Sequence, residues 1–227
     1  MSAMTDQNRK KACGIAALLV VCCAIMAFFE TVVEPPYPVK SALKVVVFLF
    51  LPLIYARVTH SDFFDKAFSL DRKVAAKLLL LGVLIYAFIM GAYALTKNIF
   101  DYAALVQSLS ADQKVDGSSF IGVALYISFC NSFLEEFLFR LVAFIQLSRY
   151  APGKTAYLFS SVLFAAYHIA MLGTSFPPVL LLLALVGLAI GGLIFDYVDD
   201  RSGTIYNSWI IHMFADFAIM TIWYLHL

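Results

Sequence analysis

Charge is scarce in this chain of 227 residues. Only 14% of them are Asp, Glu, Lys or Arg, against roughly 25% in soluble domains, and 63% are hydrophobic. With a mean hydropathy of +0.88, that composition excludes a soluble globular domain and leaves an integral membrane protein. Neither sign of charge is in surplus. Sixteen basic against fifteen acidic residues give a net charge of +1, so nothing is available to neutralise a phosphate backbone, and nucleic acid is excluded as a partner. Cysteine is sparse too: Cys13, Cys22, Cys23 and Cys130 lie in apolar stretches without the spacing of a metal site or a disulfide framework, and read as small packing residues. There is no internal repeat, low-complexity tract or long linker, so one structural domain is expected.

What is present is a series of apolar runs, each near the twenty or so residues that a spanning helix needs. Seven can be counted: Lys11 to Phe29, Lys40 to Ala56, Val74 to Leu95, Phe120 to Ser148, Thr155 to Leu172, Val179 to Phe195, and Ile205 to His226. The expected fold is an all-α, polytopic membrane bundle of about seven transmembrane helices. Residues 1–119 hold the first three helices and an outer loop, and residues 120–227 hold a core of four. The second run is short and contains Pro52, which predicts a kink. The first follows Arg9-Lys10-Lys11 like a signal peptide but ends in Phe28-Phe29-Glu30 without small residues for cleavage, and reads as a retained anchor. With the amino terminus inside, the inner loops collect Arg9, Lys10, Lys11, Arg57, Lys66, Arg72, Lys73, Lys77, Arg149, Lys154 and Arg201, and the outer side only Lys40, Lys44, Lys97 and Lys114. That asymmetry predicts a cytoplasmic amino terminus, an outside carboxyl terminus and a cell-membrane location. The longest break, Thr96 to Ser119, has apolar residues at helical spacing in its first half and predicts a short surface helix.

Once loops and helix ends are set aside, ionisable residues are expected inside only three spans: Glu135, Glu136 and Arg140 in the fourth, His168 in the fifth, His212 and Asp216 in the seventh. A charge near the bilayer centre costs about 2.5–3.5 kcal/mol on insertion scales, so such residues face a protein interior and mark a functional site. Glu136 and Arg140 are four apart in the order that favours an ion pair. Glu135 points about 100° away around the helix, toward the face of Asn131, Ser132 and Phe139, and is expected to be the carboxylate left free for chemistry. Phe164 lies one turn before His168 and walls the same side. A single buried histidine is ordinarily a structural hydrogen-bonding residue, and an acid–arginine pair inserts more cheaply than a lone charge. Three acids, an arginine and two histidines at matching depth on three helices are a cost that this bland account handles poorly.

Glu135-Glu136-x-x-x-Arg140, Phe164-x-x-x-His168 and His212-x-x-x-Asp216, in that order on separate apolar helices, resemble the three motifs of the CAAX protease and bacteriocin-processing family of intramembrane glutamic proteases. The resemblance runs from about Phe120 to the carboxyl terminus. It implies an intramembrane endopeptidase acting without a cofactor on a peptide or membrane-associated protein at the lipid surface. By the same resemblance Glu135 is the general base, His168 its partner in holding a water, and His212 with Asp216 the oxyanion wall. Glu136, Arg140 and Phe164 support them. The family often has Asn where this chain has Asp216, so Asp216 must either donate from a protonated carboxyl or orient His212.

Three other readings use the same residues. Glu, His and Asp are competent zinc ligands, although no His-Glu-x-x-His pair is present. Buried acids and histidines also serve proton-coupled transporters, but no repeated halves are visible. A silent immunity or binding protein would keep the pocket and tolerate loss of Glu135. The chamber is expected to open toward the inner face, beside a segment rich in acids (Asp196, Asp199, Asp200, Arg201). Gly187, Gly191 and Gly192 suit helix packing within one chain or between chains, and the oligomeric state is not legible.

Overall fold

The computed structural model describes residues 5–60, 67–69 and 72–227, without the side chains of 72 and 73. Lys66 of the charge count lies outside them, and so do the side chains of Arg72 and Lys73. Every regular element among the described residues is helical. We number them α1 (Asp6–Val33), α2 (Tyr37–Val58), α3 (Arg72–Thr96), α4 (Tyr102–Gln113), α5 (Phe120–Gln146), α6 (Gly153–Leu172), α7 (Pro178–Ser202) and α8 (Tyr206–Tyr224). Six of these are long and apolar enough to cross a membrane. The 19 residues of α8 are also long enough, although the strongly polar Asn207, His212 and Asp216 lie on it. The exterior suits lipid: Leu80, Phe88, Val179 and Leu182 are all more than half exposed. The protein is therefore an integral membrane helical bundle.

The helices begin where local chemistry allows. Thr5 caps α1 by accepting from the Asn8 amide, and Asp101 caps α4 by accepting from Ala104. Proline opens α2 and α7, where a missing N–H costs nothing. The expected kink at Pro52 takes the form of π winding over Val46–Phe50, after which the helix continues to Val58. In π winding residue 52 would bond the Val47 carbonyl, which a proline cannot do. Cys22 donates its S–H to that carbonyl instead, at 3.3 Å. Only Cys22 and Cys23 are buried; Cys13 and Cys130 lie on the exterior, so packing explains two of the four.

The main apolar core lies between α1, α2, α5 and α6, around Leu19, Phe48, Leu138 and Phe144. A second layer joins α3 to α8 in parallel. Gly82 leaves room for the Phe214 ring against the α3 backbone, and Tyr86 meets Thr221 at 3.2 Å. The surface helix is present as α4 and straps one end of the bundle, its Ser108 and Asp112 reaching Ser175 at 3.0 and 2.7 Å.

Of the three glycines on α7, only Gly192 is pressed against another helix: a Cβ there would lie 3.0 Å from the Ser161 Cα, whereas Gly187 and Gly191 face open space. This small contact sets the α6–α7 separation next to Phe164. Gly192→Leu is therefore expected to cost about 1–3 kcal/mol through overpacking. Gly191→Leu, with the same gain in helix propensity, is the control, and thermal unfolding of both in detergent separates the two sites.

Candidate active site

Two consecutive acids on α5 are sent in different directions, because each residue turns the helix by about 100°. The winding also changes between them, from an α turn at Ser132–Glu135 to π winding over Glu136–Gln146, a substitution often found at functional sites. Glu136 turns toward α7 and α8. Its Oε2 lies 3.3 Å from Arg140 Nε, and its Oε1 takes a 2.7 Å bond from His212 Nδ1. Arg140 is fully buried and packed against the rings of Phe164 and Phe195, whose centroids are 4.6 and 5.1 Å from its guanidinium carbon. It donates to Ser160 Oγ at 3.2 Å and lies 3.7 Å from Asp196. Ser160 is itself 2.9 Å from Asp196 Oδ1.

Glu135 turns the other way and is nearly buried, at 3% exposure. It is not free. Lys44 of α2 donates to its Oε1 at 2.6 Å, and the Asn131 amide donates to the same oxygen at 3.1 Å. Its second oxygen, Oε2, has a different environment. Two imidazole atoms face it without touching, His168 Nε2 at 3.9 Å and His212 Nε2 at 3.8 Å. His212 Nε2 is also 3.7 Å from Asp216 Oδ1, while Asp216 Oδ2 is buried with no hydrogen-bond partner.

The tautomer of His168 follows from its bonds. Its Nδ1 lies 2.8 Å from the Phe164 carbonyl, which can only accept, so Nδ1 carries a proton and a neutral ring presents the Nε2 lone pair toward Glu135. His168 also sits at a break in α6, between helical segments ending at Tyr167 and resuming at Ile169. Phe164 packs edge-on against it at 4.9 Å.

The structure thus brings together Glu135, His168, His212 and Asp216 from three helices and places Glu136, Arg140 and Phe164 directly behind them. Several expectations change. Glu135 is paired with a lysine, and His212 is oriented by Glu136 and not by Asp216, which lies beyond hydrogen-bond distance. Lys40 and Lys44, counted on the outer side, are buried in α2. The signal available was Pro36-Tyr37-Pro38, a helix start that places Lys44 two turns inside. Asp196 and Asp199 do not form an exposed acidic edge either. Asp196 belongs to the arginine network, and Asp199 holds the start of α8 by accepting from the Ser208 amide at 3.1 Å and its hydroxyl at 2.7 Å. His168 is four residues from the end of α6, on the order of 6 Å of helix from the end that α4 straps.

Among the described residues no group of three His, Cys, Asp or Glu side chains is arranged to hold a metal ion. The cation found on Glu135 is the lysine ammonium.

Against this geometry stands one comparison. Residues 117–218 match the family described as type II CAAX prenyl endopeptidase, Rce1-like. That segment is similar to the CAAX protease family. The match covers Glu135, His168, His212 and Asp216, and it supports a CAAX intramembrane protease. No curated protein and no solved structure matches the chain.

Because Arg140 answers two acids at once, its loss would strand both in the bundle. Arg140→Met is expected to cost about 3–5 kcal/mol, the range for breaking a buried pair from one side. Asp200→Asn, at an exposed position of α7 that only accepts from the Tyr157 hydroxyl at 3.2 Å, is expected to stay within about 0.5 kcal/mol of the parent; thermal unfolding compares them.

Proposed function

We propose that this protein is an intramembrane endopeptidase of the glutamic type. The observation that carries the reading is the gap around Glu135 Oε2, faced by two imidazole nitrogens at 3.8 and 3.9 Å. Two acceptors of one water lie roughly 4–5 Å apart when each bond is about 2.8 Å, so a single water spans the distance from Glu135 Oε2 to His168 Nε2. Both of its protons then point at acceptors, and its lone pair is left for a peptide carbonyl. Glu135 takes one proton as the oxygen bonds to the carbonyl carbon, and returns it to the amide nitrogen as the C–N bond breaks. His168 holds the water in line. The charge that develops on the carbonyl oxygen needs donors. His212, held through Nδ1 by Glu136, aims Nε2 into the same gap and donates from it as the imidazolium, and Asp216 with a proton on its unpartnered Oδ2 supplies the second.

The substrate class that fits is a peptide, or the tail of a membrane-associated protein, that reaches the buried cluster from the lipid. The amino terminus is placed on the cytoplasmic side and the carboxyl terminus outside by the basic loops, and the lipid is the cell membrane.

Glu135→Gln and His168→Ala are each expected to abolish cleavage and leave the protein folded. Asp216→Asn keeps a donor and is expected to hold activity within about threefold, whereas Asp216→Ala loses about a hundredfold, the usual cost of an oxyanion donor. Full activity in Glu135→Gln would remove the general base. Substrates are found by comparing membrane peptides from cells carrying the parent chain and Glu135→Gln; a fragment missing from the variant names the reaction.

No cofactor enters this scheme. Cleavage is expected to survive strong chelation, and loss that zinc alone restores would transfer the nucleophile to a metal-bound water.

A further inference from the structure

The matched segment leaves out the residue that touches Glu135 most closely. Lys44 comes from α2, 91 positions away in the chain. Its ammonium is held on several sides: Glu135 Oε1 at 2.6 Å, Asn131 Oδ1 at 2.5 Å, and the rings of Phe48 and Tyr167 with centroids 5.1 and 5.0 Å away. Asn131 completes the arrangement by accepting from Lys44 and donating to the same Glu135 oxygen at 3.1 Å. One carboxylate oxygen is thus doubly bonded and fixed. The other is left facing the two imidazoles. Tyr167 immediately precedes His168, so the same ammonium also braces the break in α6 from which the second water-holding group projects.

We infer that Lys44 is a positioning residue of the active site: it pins Oε1 of Glu135 so that Oε2 alone is presented to the nucleophilic water, which makes α2 part of the catalytic machinery. The inference rests on the proteolytic reading for its effect on turnover, and on geometry alone for its hold on Glu135. Lys40, one turn earlier on the same helix, provides the contrast. It is equally buried but pairs with Glu30 at 2.9 Å, away from the cluster.

The test combines turnover with thermal unfolding in the full-length protein, using a cleaved peptide as probe. Lys44→Met is expected to lower kcat at least a hundredfold with KM within threefold of the parent, the signature of an interaction used only in the transition state. Lys44→Gln, which can donate without charge, should fall between. Lys40→Met should retain the parent kcat. In the unfolding cycle, Lys44→Met should lower the Tm of the parent but not that of Glu135→Gln, because the neutral amide leaves no stranded charge. The inference is overturned by a kcat within threefold of the parent, by a rise in KM alone, by an equal loss in Lys40→Met, or by the same fall in Tm in both backgrounds. A parent chain that cleaves no peptide would instead sink the proteolytic reading, and the unfolding cycle would still decide whether Lys44 holds Glu135.

Discussion

A carboxylate inside a membrane bundle has to find its counter-charge within the protein, and here two successive residues pose that demand at once. Glu135 and Glu136 leave the helix in different directions. Each therefore recruits its own. Glu136 is answered by Arg140 one turn later and by His212 of α8, and Glu135 by Lys44 and Asn131. Two of those partners, Lys44 and His212, sit on other helices, so satisfying the charges brings α2 and α8 against α5. Apolar packing alone selects such an arrangement only weakly, because lipid tails compete for the same surfaces.

The two acids divide the polar interior into halves of different character. Behind Glu136 the groups are fully enclosed, with Arg140 and Asp196 at 0% exposure and two aromatic rings against the guanidinium. Nothing there has room to react. Around Glu135 the separations open to 3.7–3.9 Å between ionisable atoms, too long for direct bonds and suited to an intervening molecule. His212 joins the halves: one nitrogen is bonded in the rigid one, and the other faces the reactive one. A rigid network thus aims the imidazole, which is how precise geometry is supported in a site where the reactants are small.

Small residues and local caps supply the rest of the frame. Gly82 and Gly192 admit close helix contacts at two crossings, and α4 ties the loop after α6 to the end of the bundle near His168. Gln113 at the end of α4 also reaches Glu30, which in turn holds Lys40. The polar contacts at this end form a layer separate from the site.

Much of this was legible in the chain itself. Composition and run length determine a membrane bundle, because lipid tolerates only helices whose backbone groups bond internally. The spacing of Glu136 and Arg140, and of Phe164 and His168, determines pairs that any helix would form, since positions four apart are neighbours. Tertiary structure decided what lies between helices. That Lys44 belongs to Glu135, that His212 turns its Nδ1 to Glu136 and leaves Asp216 unbonded, and that Asp196 faces Arg140 and not the surface all depend on the rotation and depth of one helix against another. A one-residue turn moves a side chain by about 100°, and local periodicity does not specify which neighbour that rotation meets; only the compensation of buried charge, summed over all the helices, does.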